Sequence, residues 1–490
     1  MRKRQDLILE FIKPFRTCDR YYLYSSLTNR IARVSERIFG IFEQAVVETE
    51  NRRVGHEAKR IGELTGLLPE RPPQPATFPP ERIHRAIEHL RLFGPRYLIL
   101  SITEQCNFRC RYCVHSGAYR DRRVHSDKTM TFETIRKALT WYFSFKRGEY
   151  QVGFYGGEPL HRFDLIEEAV AFTRHSVPVD ARLTFSVTTN GALLSDRVAD
   201  FFAANDIQLH ISIDGPPDVH NRYRVDRLGN PTFDVLWKRL TRLRNRHKAY
   251  YDRRIGFNIT VAPPGRIEEI SAFLDRHPRM FRFKVPVVSP LGNEPSCISE
   301  NLGLSEADWD IDYSAILDEY IDDCVRGFTP SEWCRGCYDD VFSTIHFRTM
   351  SETGNIIVSH GQCIPGKRCH IDANGTFHMC DHIGEGFPIG SVETGYDESR
   401  IMNYLGEFGR LMDDTCASCW AIRLCRKCIP MLADGGSLSY RRLAEFCHQK
   451  KQELEIGLIR YCEALDRNKE AFEWMARAYQ PVAERTNQPN

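Results

Sequence analysis

The chain has no run of about 18 consecutive apolar residues, the shortest stretch that crosses a membrane as a helix. It also has no excess of either charge, since 67 Lys and Arg residues face 65 Asp and Glu residues. We therefore expect no membrane insertion and no overall electrostatic attraction to nucleic acid. The start, MRKRQDLILEFIKPF, has a short interrupted apolar stretch and no small-residue cleavage site. This favours a cytoplasmic protein without a signal peptide.

Cysteine is scarce in the first 100 residues, where only Cys18 occurs, and abundant later. Of the 17 cysteines, three lie between positions 106 and 113, and 13 follow position 290. An odd number of cysteines in a chain of 490 residues without a secretory signal argues against a disulfide framework. The clustering predicts ligands of metal ions or metal clusters.

Composition and periodicity divide the chain into segments of different character. We expect a small α+β unit over 1–75, with a hairpin and two amphipathic helices, and a proline-rich linker and helix over 76–93. A βα core follows over 94–290 and a mostly helical bridging region over 291–360. The remainder is a cysteine-rich domain over 361–450 and a helix with a frayed tail over 451–490.

Within the core, strand-like runs alternate with helical stretches. The runs lie at 97–102, 152–155, 183–188, 207–213, 255–261 and 283–288, and the helical stretches at 131–147, 163–175, 194–204, 232–247 and 266–275. Six such repeats predict an α/β fold with a parallel sheet and helices outside. Periodicity leaves open whether the sheet closes as a barrel.

A three-cysteine motif, Cys106-x3-Cys110-x2-Cys113, directly follows the first strand of this core. Three thiolates in one loop suit three irons of a [4Fe–4S] cluster and leave the fourth iron open to a small molecule. A zinc loop is the alternative, but structural zinc prefers four protein ligands, and His115 is the only local candidate for a fourth.

Small, polar and acidic residues recur at the ends of the following strands. They form the motifs Gly156-Gly157-Glu158-Pro159, Thr188-Thr189-Asn190-Gly191, Ser212-Ile213-Asp214-Gly215 and Asn258-Ile259-Thr260. Ligands bind at the carboxyl edge of parallel βα sheets. Each motif alone is compatible with an ordinary turn. Four of them at the edge that carries the three-cysteine loop predict a binding site.

Together these motifs resemble those of radical S-adenosylmethionine (SAM) enzymes. The resemblance implies a partial (β/α)6 TIM-like barrel in which Cys106, Cys110 and Cys113 hold the cluster that binds SAM. Reductive cleavage of SAM then yields methionine and a 5′-deoxyadenosyl radical, which abstracts hydrogen from a substrate. The implied SAM-binding residues are Tyr112, Gly156, Gly157, Glu158, Asn190, Ser212 and Arg224.

The chemistry of these residues is compatible with the implied roles. Glu158 is an anionic acceptor for the SAM ammonium group, and Arg224 is a natural partner for its carboxylate. Asn190, Ser212 and Arg224 can equally serve structural roles.

The C-terminal cysteines resemble the SPASM extension of these enzymes, which carries two auxiliary [4Fe–4S] clusters. The family's interleaved pattern implies that Cys363, Cys369, Cys380 and Cys428 hold one cluster, and that Cys416, Cys419, Cys425 and Cys447 hold the other. Three clusters are then expected in total. The family usually has three residues between the last paired cysteines, where this chain has only Arg426 and Lys427. Zinc ribbons are the alternative.

Several cysteines and one acid remain open in interpretation. If Cys369 is not a ligand, one iron of the first auxiliary cluster is left for a substrate. Cys297, Cys324, Cys334 and Cys337 form a third auxiliary site or are buried free thiols. Asp381 matches a position that is a catalytic base in anaerobic sulfatase maturases, and it is equally compatible with a turn.

Residues 21–43 loosely resemble the winged peptide-recognition element of enzymes that mature ribosomally made peptides, although a simple packing domain is the alternative. The implied function is oxidative cross-linking of a precursor peptide by a thioether or carbon–carbon bond. The implied partners are that peptide and an electron donor such as flavodoxin or ferredoxin. Two other functions stay open: a formylglycine-forming sulfatase maturase, and a non-catalytic electron carrier or regulator.

Overall fold

The computed structural model describes most of the chain. It covers residues 6–48, 51–69, 74–75, 80–119, 122–281, 287–290, 302, 304–305, 311–348, 356–357 and 366–479. Cys297 and Cys363, both considered above as ligands, lie outside these residues.

The N-terminal unit is a three-stranded antiparallel sheet followed by two helices. Its strands are β1 (Ile12–Arg16), β2 (Tyr21–Ser25) and β3 (Arg30–Val34), in that spatial order. The helices Glu36–Val47 and Arg52–Leu64 follow, and the Ser35 side chain caps the first of them by accepting from the Ile38 N–H. The hairpin and both helices match the sequence prediction. The prediction missed β1, which contains Pro14 and is therefore confined to the edge of its sheet.

A short connection leads from this unit to the core. β4 (Gln74–Pro75) pairs in parallel with β11 (Ile356–Ile357), and the helix Pro80–Phe93 precedes the first core strand.

Ten strands form the main sheet, and six of them are parallel neighbours in chain order. These six are β5 (Tyr97–Thr103), β6 (Glu149–Gly156), β7 (Arg182–Thr189), β8 (Gln208–Ser212), β9 (Ile255–Val261) and β10 (Val287–Pro290). In β5 all residues but the first are buried, because helices cover the sheet. The carboxyl ends of the six strands meet at one edge, which confirms that the strand-end motifs share a neighbourhood.

Helices connect the parallel strands as the sequence predicted. The predicted helices correspond to Phe132–Phe143, Phe163–Ser176, Asp196–Ala204, Phe233–Arg246 and Ile267–Arg276. Thr131 and Ser195 cap two of them with their hydroxyl groups. The short helices Pro217–Tyr223 and Lys248–Arg254 were not predicted, because seven residues give too little periodicity to recognise.

The cysteine-rich region continues the same sheet. β12 (Arg368–Ile371) runs parallel to β5, and β13 (Thr376–His378), β14 (Pro388–Ser391) and β15 (Gly395–Tyr396) follow as antiparallel strands. The sheet order is β10-β9-β8-β7-β6-β5-β12-β13-β14-β15, so β10 and β15 are its two edges in the described part of the chain. The region predicted from 361 onward is therefore continuous with the core by backbone hydrogen bonds.

The remaining helices surround this C-terminal half. They are Ser314–Val325, Glu332–His346, Glu398–Cys416, Ile429–Leu432, Tyr440–Arg467 and Glu473–Ala478, and a two-stranded ribbon joins β16 (Ala433–Asp434) to β17 (Ser437–Leu438). The helix Tyr440–Arg467 passes without interruption through position 450, where the sequence predicted a boundary. Among the described helices, none combines the length and the apolar character that a membrane span needs.

The N-terminal unit packs against this long helix. Lys13 Nζ lies 2.7 Å from a carboxylate oxygen of Glu455, and the Tyr22 hydroxyl donates to Asp466 Oδ2 at 2.6 Å. Tyr24 meets the ring of Trp420, in the cysteine-rich region, edge to face at 6.3 Å between ring centroids. These contacts attach the N-terminal sheet to the C-terminal half of the chain.

Candidate active site

The three-cysteine loop, residues 106–113, lies at the carboxyl end of β5. Cys106 and Cys110 are both close enough to Cys113 to interact with it electrostatically. Neighbouring backbone holds the loop in place: the Arg109 N–H donates to the Val225 carbonyl at 2.8 Å, and the Arg111 N–H donates to the Tyr223 carbonyl at 2.9 Å. These hydrogen bonds fix the path of the loop that carries the three thiols.

Burial shapes the acidity of these thiols. It raises the pKa of Cys106 and of Cys110 to about 12, while the Arg224 guanidinium beside Cys110 acts in the opposite direction. Without a metal the thiols are therefore protonated at neutral pH. Because thiolates are the metal ligands, assembly of a cluster here releases protons.

The Gly156-Gly157 turn packs directly against the start of this loop. The Gly157 N–H donates to the Thr103 carbonyl and the Glu158 N–H to the Gln105 carbonyl, each at 2.7 Å. A Cβ atom at position 156 would lie 2.2 Å from the Thr103 carbonyl oxygen, and Gly156 has φ of +137°. Only glycine fits there, because the two backbone segments touch.

Glu158 is fully buried and holds this turn to the next strand end. Its Oε1 accepts from the Leu160 N–H at 3.0 Å and from the Thr189 hydroxyl at 2.7 Å, and its Oε2 accepts from the Asn190 N–H at 2.7 Å. Burial raises the pKa of Glu158 to about 7, although these three donors favour the ionised form. The carboxylate therefore links the ends of β6 and β7.

Asn190 connects the end of β7 to the three-cysteine loop. Its side-chain amide donates to Asn107 Oδ1 at 2.8 Å and approaches Cys106 Sγ at 3.9 Å. An N–H directed at a ligating sulfur is a typical outer-sphere contact of iron–sulfur sites. The structure thus places Asn190 beside Cys106, one of the three expected cluster ligands.

A buried carboxylate that sequence reasoning did not select, Asp214, joins three elements below the loop. It accepts from the Tyr112 hydroxyl in a short hydrogen bond, from Arg224 Nε at 2.8 Å, and from the Thr260 N–H at 3.0 Å. Arg224 also lies over the Tyr112 ring, 5.4 Å from its centroid, and 3.9 Å from Cys110 Sγ. Burial raises the pKa of Tyr112 well above its ordinary value, so its hydroxyl stays protonated and donates.

The implied SAM-binding residues thus converge on one edge of the sheet, but their partners differ from those expected. Arg224, expected to bind a ligand carboxylate, is paired with Asp214. Glu158, expected to bind an ammonium group, is occupied by backbone and hydroxyl donors. Ser212 is half-buried at the end of β8. Asp214 stands in the Ser-Ile-Asp-Gly motif, so its acidic character at a strand end was the signal that could have identified it.

A second concentration of thiols, the C-terminal four-cysteine group, consists of Cys416, Cys419, Cys425 and Cys447. Cys416 and Cys425 are buried, and the other two are half-buried. All four lie within electrostatic range of one another. The tertiary structure therefore brings the four cysteines into one region, although no three His, Cys, Asp or Glu side chains among the described residues are close enough to hold a single metal ion. Lys427 lies among these thiols.

The other implied ligand set is assembled only in part. Cys380 lies near Arg368, and Cys428 is half-buried at the start of the helix Ile429–Leu432. Cys369 lies on β12 between Arg368 and His370, so its side chain points to the opposite face of the sheet. There its fully buried thiol lies against the Tyr396 hydroxyl. The structure does not bring Cys369 to the face that carries Cys380.

Asp381 lies where the cysteine-rich region meets the three-cysteine loop. Its Oδ1 accepts from Arg368 Nη1 at 3.2 Å, and its side chain is only 11% exposed. Tyr155, at the end of β6, interacts electrostatically with both Asp381 and Cys113. The candidate base and the candidate cluster loop are therefore neighbours of the same tyrosine.

The other cysteines considered for a third auxiliary site have different partners. Cys324 Sγ accepts from Trp474 Nε1 at 3.3 Å, while Cys334 interacts with Glu319 and Cys337. Cys324 thus has a buried partner of its own, as a free core thiol does.

The buried carboxyl of Glu158 gives a pH-dependent prediction. Its folded-state pKa of about 7 lies above the ordinary value of 4.5, so its contribution to stability is full below about pH 4.5 and is lost as the pH rises through about 7. We expect the free energy of unfolding of the ligand-free wild type, measured relative to that of Glu158→Gln at the same pH, to fall by about 2–3 kcal/mol between pH 5 and pH 8. Urea titrations across this range measure it.

The matched control is Glu393→Gln, which changes an exposed carboxylate paired with Lys137. This variant should keep the wild-type pH profile. Parallel profiles for the wild type and Glu158→Gln would contradict the prediction.

Comparison with known proteins shows what this chain is similar to. Residues 100–276 match the family model described as the radical SAM superfamily, whose cofactors are a [4Fe–4S] cluster and SAM. The chain is 24% identical, over 77% of its length and 95% of the relative's, to a cysteine-type anaerobic sulfatase-maturating enzyme of Clostridium perfringens. It is 23% identical, over 62% of its length and 70% of the relative's, to the radical SAM cyclopropyl synthase TigE of Paramaledivibacter caminithermalis.

A solved structure described as native anSMEcpe with bound AdoMet shares the fold. The match covers 76% of this chain and 99% of that one, with a TM-score of 0.57 and 20% sequence identity. A further structure of anSMEcpe contains AdoMet together with the Cp18Cys peptide. The chain therefore carries a radical SAM domain with a cysteine-rich C-terminal region, and the named relatives that it matches are enzymes.

Proposed function

We propose that the protein is a radical SAM peptide maturase that oxidises a ribosomally made precursor peptide and forms a thioether or carbon–carbon cross-link. The observation that carries this proposal is that Tyr155 lies within electrostatic range of both Cys113 and Asp381. The three-cysteine loop would generate the radical, and Asp381 would take a proton from the same substrate. When bound, the cluster and SAM supply a 5′-deoxyadenosyl radical that removes a hydrogen atom from the substrate.

The surrounding residues would orient SAM through a rigid backbone. Gly156 and Gly157 are half-exposed at the edge, whereas Glu158 behind them is buried. We therefore propose that the backbone of the two glycines contacts SAM and that Glu158 holds the glycine turn in place. Tyr112 and Arg224, which Asp214 holds in place, would form the opposite side of the SAM-binding site. Asn190 and Ser212 would lie at the strand ends between these two sides.

Asp381 is suited to accept a proton as the substrate is oxidised. Removal of a hydrogen atom takes one electron, and a two-electron oxidation also requires the loss of a second electron and a proton. Arg368 Nη1 donates to Asp381 Oδ1 at 3.2 Å and so orients the carboxyl group that would act as the base. The neighbouring Cys380 is an implied ligand of the first auxiliary cluster, through which the electron would leave the substrate on its way to the second.

We assign two auxiliary [4Fe–4S] clusters to the cysteine-rich region, which makes three clusters in all. The C-terminal four-cysteine group suits one of them because it offers four thiols in one region. Cys363, Cys380 and Cys428 are the candidates for the other. Cys369 completes that set only if its thiol leaves Tyr396. While it stays there, one iron has no cysteine ligand and is open to substrate.

We assign recognition of the peptide's leader segment to the N-terminal unit. β3 pairs with β2 along one side only in the described sheet, so its other edge can accept an extended peptide as an added strand. The packing of this unit on the helix Tyr440–Arg467 and on Trp420 would hold the leader next to the cysteine-rich region. A flavodoxin or ferredoxin would supply the first electron.

Cleavage of SAM is the first test. We expect the anaerobically reconstituted protein, reduced with dithionite, to convert SAM to 5′-deoxyadenosine, and the Cys106→Ala/Cys110→Ala/Cys113→Ala variant to lose this activity completely. Liquid chromatography detects the product. Cys18→Ala, at an exposed thiol, is the control and should retain activity. If the wild type with its full iron and sulfide content shows no cleavage even with candidate peptides, the electron-carrier function is favoured instead.

The chemistry of the product separates the two enzymatic functions. A sulfatase-type maturase is a supported alternative because of Asp381 and the matched relatives. We expect a peptide product that has lost two hydrogens, does not react with carbonyl reagents and shows a cross-link on fragmentation by mass spectrometry. An aldehyde that reacts with hydrazides would instead establish formylglycine formation.

Replacement of the candidate base should separate radical generation from substrate oxidation. We expect Asp381→Asn to reduce peptide modification by about 10²- to 10⁴-fold, the usual contribution of a general base, while 5′-deoxyadenosine continues to form. Both products are measured in one reaction mixture. Asp340→Asn, at an exposed carboxylate paired with Arg426, is the control. Unchanged peptide modification in Asp381→Asn would exclude the catalytic role.

A further inference from the structure

Lys427 is one of the few buried cations of the described chain. Its side chain lies in the cysteine-rich region with only 3% of the residue exposed. It hydrogen-bonds to Cys416 and interacts electrostatically with Cys425 and Cys419. Cys447, on the long helix, interacts with Lys427 as well. One ammonium group therefore lies within electrostatic range of all four cysteines of the C-terminal group.

The neighbouring basic residues behave differently. Arg426 is exposed and pairs with Asp340 at 2.6 Å. Lys450 also lies near Cys425, but its charge is matched by Glu453 at 2.9 Å. Cysteine sulfurs, in contrast, are the principal electrostatic neighbours of Lys427.

Burial of an ammonium group is costly unless an anion or a strong acceptor compensates it. Neutral thiols are weak hydrogen-bond acceptors and carry no charge. Thiolates bound to a metal cluster are both anionic and good acceptors. The position of Lys427 is thus explained by an anionic cluster among these four sulfurs, independently of the spacing of the cysteines in the sequence.

A fixed positive charge changes the redox properties of such a cluster. Net charge and hydrogen bonds to the sulfurs are among the factors that set iron–sulfur reduction potentials. Reduction adds a negative charge, which a nearby ammonium stabilises more strongly than it stabilises the oxidised state, particularly in a dry environment. The cation therefore favours the reduced cluster.

We propose that Lys427 is a positioning residue for the auxiliary cluster held by the C-terminal four-cysteine group: it donates to the Cys416 sulfur and raises the reduction potential of that cluster, so that this cluster accepts the electron released by substrate oxidation. The inference rests on the proposed function, which assigns a cluster to these four cysteines. It adds the residue that makes this cluster an acceptor.

The test is a redox titration of full-length, anaerobically reconstituted protein followed by electron paramagnetic resonance. The Cys106→Ala/Cys110→Ala/Cys113→Ala background removes the signal of the SAM-binding cluster. In this background we expect Lys427→Met to decrease the ratio of reduced to oxidised cluster at a fixed potential about tenfold, which corresponds to a shift of 59 mV to more negative potential for a one-electron couple. Lys427→Arg should retain most of the wild-type potential.

Arg426→Gln is the matched control, because it removes the adjacent exposed charge. Its midpoint potential should equal that of the wild type. An unchanged potential in Lys427→Met, with iron and sulfide contents equal to those of the wild type, would overturn the inference and leave the cluster assignment intact.

Cluster content decides the remaining outcomes. If Lys427→Met loses four irons and Lys427→Arg keeps them at the wild-type potential, the positive charge is required and the inference is supported. If Lys427→Arg also loses the four irons, the positive charge alone does not explain the effect, and the inference is overturned. If Cys416→Ala/Cys419→Ala leaves the iron content of the starting protein unchanged, the group holds no cluster, and the proposed assignment fails along with the inference.

Discussion

The pairing of β5 on both sides is the constraint on which the rest of the structure depends. β5 pairs in parallel with β6, which ends in the glycine turn, and with β12, which leads toward Cys380 and Asp381. The Ser101 hydroxyl of β5 and His370 Nε2 of β12 are 2.8 Å apart, so side chains reinforce the second pairing. Regions separated by more than 250 residues in the sequence thereby meet around the three-cysteine loop, which leaves the carboxyl end of β5.

Buried ionisable side chains are a second feature of the site. Asp214 with Arg224 supports the three-cysteine loop from below, Glu158 fastens the glycine turn, and Lys427 lies among the C-terminal thiols. Each of these charges costs desolvation energy, which hydrogen bonds to fixed partners offset. Such groups add little net stability, but they hold their neighbours in one arrangement. A radical intermediate needs this rigidity, because a misplaced reactive atom attacks the wrong bond.

The N-terminal unit, to which we assign peptide recognition, is attached directly to the cysteine-rich region. Tyr22 and Lys13 contact the long helix, and Tyr24 contacts Trp420, which directly follows Cys419. The same helix contributes Cys447 to the C-terminal four-cysteine group. If a peptide binds the N-terminal sheet as proposed, movement of that sheet would act on the helix that carries Cys447, a proposed cluster ligand.

The sequence by itself determined the βα core, the three-cysteine loop and the common edge of the strand-end motifs, because period-two apolar runs, cysteine spacing and chain order are all local properties. It did not determine the partners of the polar residues. Arg224 and Glu158 were expected to face a ligand, yet only the tertiary structure showed that Asp214 and three nearby donors occupy them. Likewise, the alternation of side chains along β12 sends Cys369 to the face opposite Cys380, and the choice of face depends on which strand β12 pairs with. In the sequence Lys427 is only a spacer between two cysteines, and its burial near four thiols arises from contacts between segments that lie far apart in the chain.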